Sequence, residues 1–310
     1  MRDVQIRDGN HGPMRILATL LLAAAPVLVH AGVPILATTA TAPHALADEA
    51  EFREQLRASM VVTGSIDIEP DGTVSALSLD QQEKLPGPVV DVTRKSVAQW
   101  RFEPVLVDGV ASRARVLVTL RVVAAPAGDG AIGISLANAT FMHRKTDDRR
   151  EHLRLFRYTP ARYPPFALDR NASGNVILLL KINRQGLVVE GAVEQVNLHA
   201  IGNARTVRLL RKFFGESAMD AARYWNFKTP TVGPDSEGPY WTARIPVSFV
   251  LDESSDPTPY GQWVGYLPGP VQVASWLEKA APDASDSGAN GSIQLVGSGP
   301  RLLTPLQPQG

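Results

Sequence analysis

The sequence predicts an α+β fold made of two small units, each a short antiparallel sheet packed by a helix. Three observations carry this. Apolar and polar residues alternate with period two in several stretches, the pattern of half-buried strands. The pairs Asp71-Gly72, Asp108-Gly109 and Gln185-Gly186 punctuate those stretches as turns. The order strand, turn, strand, helix ending in Trp, then a last strand occurs twice along the chain.

Unit one spans 58–124. In Gly64-Ser65-Ile66-Asp67-Ile68-Glu69, apolar Ile66 and Ile68 alternate with polar neighbours, so this is a strand. Asp71-Gly72 turns the chain, because glycine accepts positive φ without a Cβ clash. Val74 to Leu79 returns as the second strand. Pro86-Gly87-Pro88 breaks the chain, and Val89 to Trp100 reads as a helix, with Val89, Val90, Val92, Val97 and Trp100 on one side and Asp91, Arg94, Lys95 and Gln99 on the other. Its valines lower intrinsic helix propensity, so packing has to hold it. After a turn at Asp108-Gly109, Ala114, Val116, Val118, Leu120 and Val122 share one face of the last strand.

Unit two spans 158–252 and repeats the order. Gly174 to Ile182 is a strand, Gln185-Gly186 its turn, and Leu187 to Val196 the return. Phe213 to Tyr224 reads as a helix with Phe214, Ala218, Ala221 and Trp225 in line. Trp241, Ala243, Ile245, Val247 and Phe249 form one face of the closing strand. From turn glycine to Trp is 28 positions in unit one and 39 in unit two, which predicts an insertion around His199 to Leu210. The stretch 125–157 reads as a charged connector. The stretch 253–310, rich in Pro, Gly and Ser, reads as a largely flexible tail in which 271–280 is the one short helical candidate.

The first 47 residues read as a leader. Arg15 precedes an uncharged apolar run, followed by small-residue sites at Val29-His30-Ala31 and Ala45-Leu46-Ala47, the pattern of a secretory signal peptide. The rival reading is a retained anchor, since Ile16 to Leu36 is just long enough to span roughly 30 Å of hydrocarbon, although Pro26, His30 and Pro34 interrupt it.

Composition excludes several function classes. Lys+Arg and Asp+Glu are both 31, so the chain is not a broadly basic nucleic-acid binder. With no cysteine, zinc fingers, iron–sulfur sites, disulfide scaffolds and thiol catalysis drop out. His143, His152 and His199 lack metal-ligand spacing, and no Gly-x-Ser-x-Gly elbow occurs. The reading is therefore a non-enzyme with no metal and no cofactor. Charge is nevertheless uneven, with eight basic and four acidic residues in 143–170 against six acids and two bases in 252–310.

The repeated set Gly-x-(alternation)-Asp-Gly-x-Val, a helix running into Trp100-Arg101-Phe102-Glu103-Pro104, an Asp-Gly turn and a valine-rich strand resembles the C-terminal domain of TonB-type energy transducers, here in two tandem copies. Unit two adds Tyr163-Pro164-Pro165-Phe166-Ala167, similar to the family's Tyr-Pro-x-x-Ala lead-in, and Ile245-Pro246-Val247-Ser248-Phe249, similar to its closing strand. Unit one lacks the Tyr-Pro lead-in, Gln185 stands where the turn carries Asp, and no long proline-rich spacer separates the leader from unit one.

The resemblance implies a periplasmic protein-binding module beside TonB-dependent outer-membrane transport, or alternatively an envelope scaffold without energy transduction. It implies as partner an extended peptide of an outer-membrane receptor or another envelope protein, with membrane contact only through a retained leader that would anchor it in the inner membrane. Strand addition is the mode that would serve it, with main-chain hydrogen bonds to a sheet edge. The expected docking residues are Arg244, Ile245, Pro246, Val247, Ser248 and Phe249, since Pro246 suits an edge strand and Arg244 suits an acidic side chain. Trp100, Phe102, Trp225, Phe227, Tyr163 and Pro164 are expected to be structural, because buried aromatics at equivalent helix ends cover large areas.

Overall fold

The computed structural model of the protein describes residues 54–306 except 108, 129, 144–148, 200–201, 234, 252–259, 278–292 and 298. The predicted leader therefore lies outside the described residues. The strands are β1 (Arg57–Ile68), β2 (Val74–Leu79), β3 (Leu106–Val107), β4 (Val110–Ala111), β5 (Ala114–Pro126), β6 (Ile132–His143), β7 (Arg154–Arg157), β8 (Gly174–Asn183), β9 (Val188–Leu198), β10 (Asn226–Lys228), β11 (Tyr240–Phe249), β12 (Val264–Tyr266) and β13 (Gln294–Leu295). The helices are α1 (Gly87–Val97), α2 (Pro165–Leu168) and α3 (Ala204–Ala222). Antiparallel sheet dominates, with few helices, which is an α+β fold.

One sheet has the order β2-β1-β5-β6, with β12 sharing the outer edge of β1 with β2. The other has the order β9-β8-β11-β13. Each packs one face against a helix. Met60, Val62, Ile66 and Ile68 of β1 and Val116, Val118, Leu120 and Val122 of β5 share a core with Val89 and Val97 of α1. Val176, Leu178, Leu180 and Ile182 of β8 and Ala243, Ile245, Val247 and Phe249 of β11 share a second core with Val207, Leu210, Phe214 and Ala218 of α3. The period-two alternation of the strands and the helical spacing of these residues put every one of them on the same side.

The two sheets repeat one clamp. Gly72 sits at φ +81° and its carbonyl accepts the N–H of Phe102 at 2.8 Å. Gly186 sits at φ +80° and its carbonyl accepts the N–H of Phe227 at 2.8 Å. A Cβ would stand 2.0 Å from the Phe102 carbonyl oxygen at the first glycine and 1.9 Å from that of Phe227 at the second. Only glycine fits either position, on both φ and space. The clamp pulls the chain after each helix against the first hairpin, and it buries Trp100 with Phe102 and Trp225 with Phe227.

Several elements differ from the sequence expectation. Helix α3 begins at Ala204, with the Asn203 side chain accepting the Thr206 N–H at 2.9 Å as its cap. Residues 204–210 of the predicted insertion thus form the first turns of the helix, and it ends at Ala222 rather than running to Tyr224. In α1 the buried stripe is Val89, Thr93 and Val97, while Val92 is only half-buried. The stretch read as a charged connector, 125–157, contains the twelve-residue β6 and the edge strand β7. β6 pairs with β5 from Val116↔His143 to Pro126↔Ile132.

The tail read as largely flexible is docked at several places. β12 pairs Arg57↔Tyr266 to Ser59↔Val264, and Leu267 exchanges backbone hydrogen bonds with Leu198 of β9. Further on, the Glu103 N–H donates to the Arg301 carbonyl at 2.9 Å, and the Leu303 N–H donates to that of Arg101 at 2.7 Å. Apolar side chains fix these segments: Tyr260, Trp263, Leu302 and Leu306 pack on the first core, and Leu267, Ile293 and Leu295 on the second. The described residues 271–277, the start of the helical candidate, hold no helix.

Candidate partner-binding edge

β11 is the closing strand of the second sheet, and its two faces differ. Ala243, Ile245, Val247 and Phe249 have no exposed surface and face α3. Thr242, Arg244, Pro246 and Ser248 occupy the other face. Of the six expected docking residues, Ile245, Val247 and Phe249 therefore commit their side chains to the core. They can meet a partner only through backbone.

Arg244 is also committed. Its Nε lies 3.0 and 2.9 Å from the two carboxylate oxygens of Glu194, and the two side chains are only 12% and 3% exposed. Burial pushes the Glu194 carboxyl above its ordinary value, and Arg244 pulls it back. Glu194 reaches this position because β9 carries a bulge there. Ile177 pairs with Gln195 and Leu178 with Val193, so Glu194 is the extra residue and turns its side chain to the polar face. The expectation that Arg244 stands ready for an acidic peptide is corrected by this pair.

The backbone of β11 presents an outer edge opposite β8. The Val296 N–H donates to the Thr242 carbonyl at 2.8 Å, so Thr242 points its polar backbone groups outward. Backbone groups alternate along a strand, so Arg244, Pro246 and Ser248 point outward as well, while Ile245, Val247 and Phe249 point to β8. Pro246 is thus placed where its missing N–H costs the β8 ladder nothing, and it pairs in register with Ile177. β13 covers the start of this edge through Ala243↔Leu295 and Arg244↔Gln294. Among the described residues, the strand pairing on the outer side of β11 stops at Arg244.

The six expected structural residues lie in or beside the cores. Trp100 is 2% and Trp225 1% exposed. The Trp225 Nε1–H donates to the Thr159 carbonyl at 2.7 Å. Tyr163 donates its hydroxyl to the Ala172 carbonyl at 2.5 Å and stands edge-on to Phe214 and Phe249. Burial pushes its pKa up to about 12. Pro164, extended at φ −65° and ψ 131°, caps α2 and hands over to Pro165 at the first helical position.

Sequence reasoning missed the polar face of β9. Gln195 Nε2–H donates to the Gly269 carbonyl at 2.8 Å, and the Gly269 N–H donates to Asn197 Oδ1 at 3.0 Å, so this face holds the docked tail. The signal was present in the polar residues Gln195 and Asn197 alternating with Val196 and Leu198. His199, at the end of β9, has Nε2 3.3 Å from the Asn175 amide nitrogen. Burial, with Arg121 nearby, holds its imidazole pKa below the usual value. An open groove beside the Gly186 clamp is lined by Arg157, Leu187, Tyr224 and Asn226, without a nucleophile–base pair. Among the described residues no His, Asp and Glu cluster could hold a metal ion, and no helix is long and apolar enough to cross a membrane.

No family model matches the chain, and no solved structure matches it. Among curated proteins it is similar to Protein TonB from two strains of Xanthomonas campestris pv. campestris. Identity to each is 35% over 94 residues, which is 30% of this chain and 35% of the relative. The chain therefore spans about a third of the length of those relatives. The similarity indicates a TonB-like C-terminal domain within the chain.

Proposed function

We propose that the protein is a non-enzymatic periplasmic binding module that receives an extended peptide from an outer-membrane receptor by strand addition on the outer edge of β11. In this reading the chain carries two TonB-like units, 58–124 and 158–252, and reaches the periplasm through the leader at 1–47. The observation that carries it is the edge itself. Arg244, Pro246 and Ser248 aim backbone groups away from β8, and among the described residues pairing by the chain's own strand stops at Arg244. An incoming strand gains main-chain hydrogen bonds there without disturbing the core. The similarity to Protein TonB supports the partner class.

A scaffold reading has one observation in its favour. The C-terminal segments tie the two sheets together, with β12 on β1 and Leu267 on β9. Titration of the full chain with synthetic peptides from outer-membrane receptors, followed by amide hydrogen exchange, separates the two. Docking predicts binding that slows exchange at the Ser248 amide. Absence of binding, or binding that leaves the Ser248 amide unchanged, favours the scaffold.

A further inference from the structure

The two sheets differ in how the place beside the closing strand is filled. In the first, β6 lies along β5 over the full run from Val116↔His143 to Pro126↔Ile132. Its Leu136 enters the core, and Ile134, Ala139 and Phe141 pack against it. In the second, β13 occupies the equivalent place beside β11, but among the described residues only Ala243↔Leu295 and Arg244↔Gln294 are paired, with the Val296 to Thr242 bond beyond them. Ile293 and Leu295 pack partly on the core, two residues apart as strand side chains on one face must be. The first sheet is thus completed by its own chain, while the second, among the described residues, holds a fragment of a strand.

Past Val296 the chain turns, with Gly297 at φ +84°. By Arg301 the chain pairs with the first unit, where Leu302 bridges to Phe102. Pairing toward Pro246 meets a residue with no N–H to donate. So few pairs are marginal by themselves. Tethering through Leu302 keeps the segment near the edge at high effective concentration.

We propose that Ile293–Val296 is a built-in occupant of the β11 edge. It is a strand mimic that must leave before an extended peptide pairs at Thr242 and Arg244. This rests on β11 being the docking edge, and it adds that the wild-type chain is self-inhibited. The occupant also specifies the guest: an extended segment with apolar side chains two residues apart, matching Ile293 and Leu295. Apparent affinity for such a guest is reduced by the fraction of molecules in which the edge is vacant.

The test uses the full chain and two variants. Gln294→Pro with Val296→Pro removes the two backbone donors that β13 and the residue after it aim at β11, emptying the edge. Ala243→Cys with Leu295→Cys locks it shut. These residues are directly opposed and form the non-hydrogen-bonded pair, so their Cα atoms lie about 4.5 Å apart, within disulfide reach of roughly 4.4–6.8 Å. The chain has no other cysteine to interfere. The probes are a synthetic peptide of residues 291–298 and the receptor peptides.

The proline variant should bind the 291–298 peptide at least about tenfold more tightly than wild type. The oxidised cysteine variant should lose binding that reduction restores. Equal binding by wild type and the proline variant, or none by either, overturns the proposal. Receptor peptides that bind oxidised and reduced forms alike overturn the occupant but leave the docking edge standing. A 291–298 peptide that behaves as expected while no receptor peptide binds keeps the occupant and removes the receptor reading.

Discussion

Arg244 and Glu194 form a buried ion pair that spans the sheet, one on β11 and the other on the bulge of β9, with β8 between them. Each supplies the counter-charge that lets the other leave water. Removing one partner from such a pair typically costs about 3–5 kcal/mol, because the remaining charge is stranded, whereas replacing both with apolar groups is often near neutral. Arg244→Met should therefore lower the urea midpoint strongly, and Arg244→Met with Glu194→Leu should recover most of the loss. If the double variant is as unstable as the sum of the singles, the two side chains are not coupled.

The glycine clamp gives a comparison with an internal control. Gly186 and Gly109 both have φ near +80°, so an added Cβ carries a similar left-handed penalty of about 1–2 kcal/mol at each. Around Gly109 a Cβ meets nothing within 4 Å, whereas at Gly186 it stands 1.9 Å from the Phe227 carbonyl oxygen. Gly186→Ala must also open the bond that holds Phe227, and should cost at least about 1 kcal/mol more than Gly109→Ala. Thermal melts of the two variants measure the difference. Equal losses would mean that the clamp is not what holds Trp225 and Phe227 in place.

The clamp also explains what was legible in the sequence. Gly72, Gly186 and the aromatic residues after each helix are local signals with a fixed order, so the hairpins and closing strands could be read directly. β6 escaped because its alternation breaks. Ile132, Ile134 and Leu136 keep period two, but the register shifts between Arg121↔Asn138 and Val122↔Leu136, so the apolar pattern resumes at Ala139 and Phe141. β12 and β13 are three and two residues long, too short for any period to show. Glu194 and Arg244 are 50 positions apart, and their meeting depends on a bulge that sequence spacing does not reveal.

His199 predicts an acid sensitivity with a definite sign. Its folded-state pKa lies below the usual imidazole value, first through burial and then through Arg121. Between the folded value and the ordinary one of about 6.5, the unfolded chain binds more protons than the folded chain. Stability therefore falls as pH drops through about 6.5 and levels off once the folded value is passed. Glu194, whose pKa is raised, has the opposite sign: its contribution is lost as pH rises through its folded value. That term is common to wild type and a His199→Asn variant. Urea midpoints at pH 7.5 and 5.5 should converge in the variant relative to wild type. An unchanged pH dependence would assign the acid sensitivity elsewhere.

The alternation of backbone groups along β11 separates docking from folding by one position. Ser248 points its N–H outward, and Val247 points its N–H to β8, opposite Val176. Val247→Pro removes a ladder bond in the middle of the sheet and should destabilise the protein by about 3 kcal/mol or more. Ser248→Pro removes only an outward donor, beside Pro246, which already lacks one. It should leave the melting temperature within a few degrees of wild type and weaken an added strand by about 0.5–1.5 kcal/mol, the net worth of one hydrogen bond, or roughly two- to tenfold in Kd. Calorimetric titration of a receptor peptide against folded Ser248→Pro reads this directly. Unchanged affinity in a variant that melts like wild type would exclude the Ser248 end of β11 from the docking edge, and unfolding would show that this N–H belongs to the internal ladder.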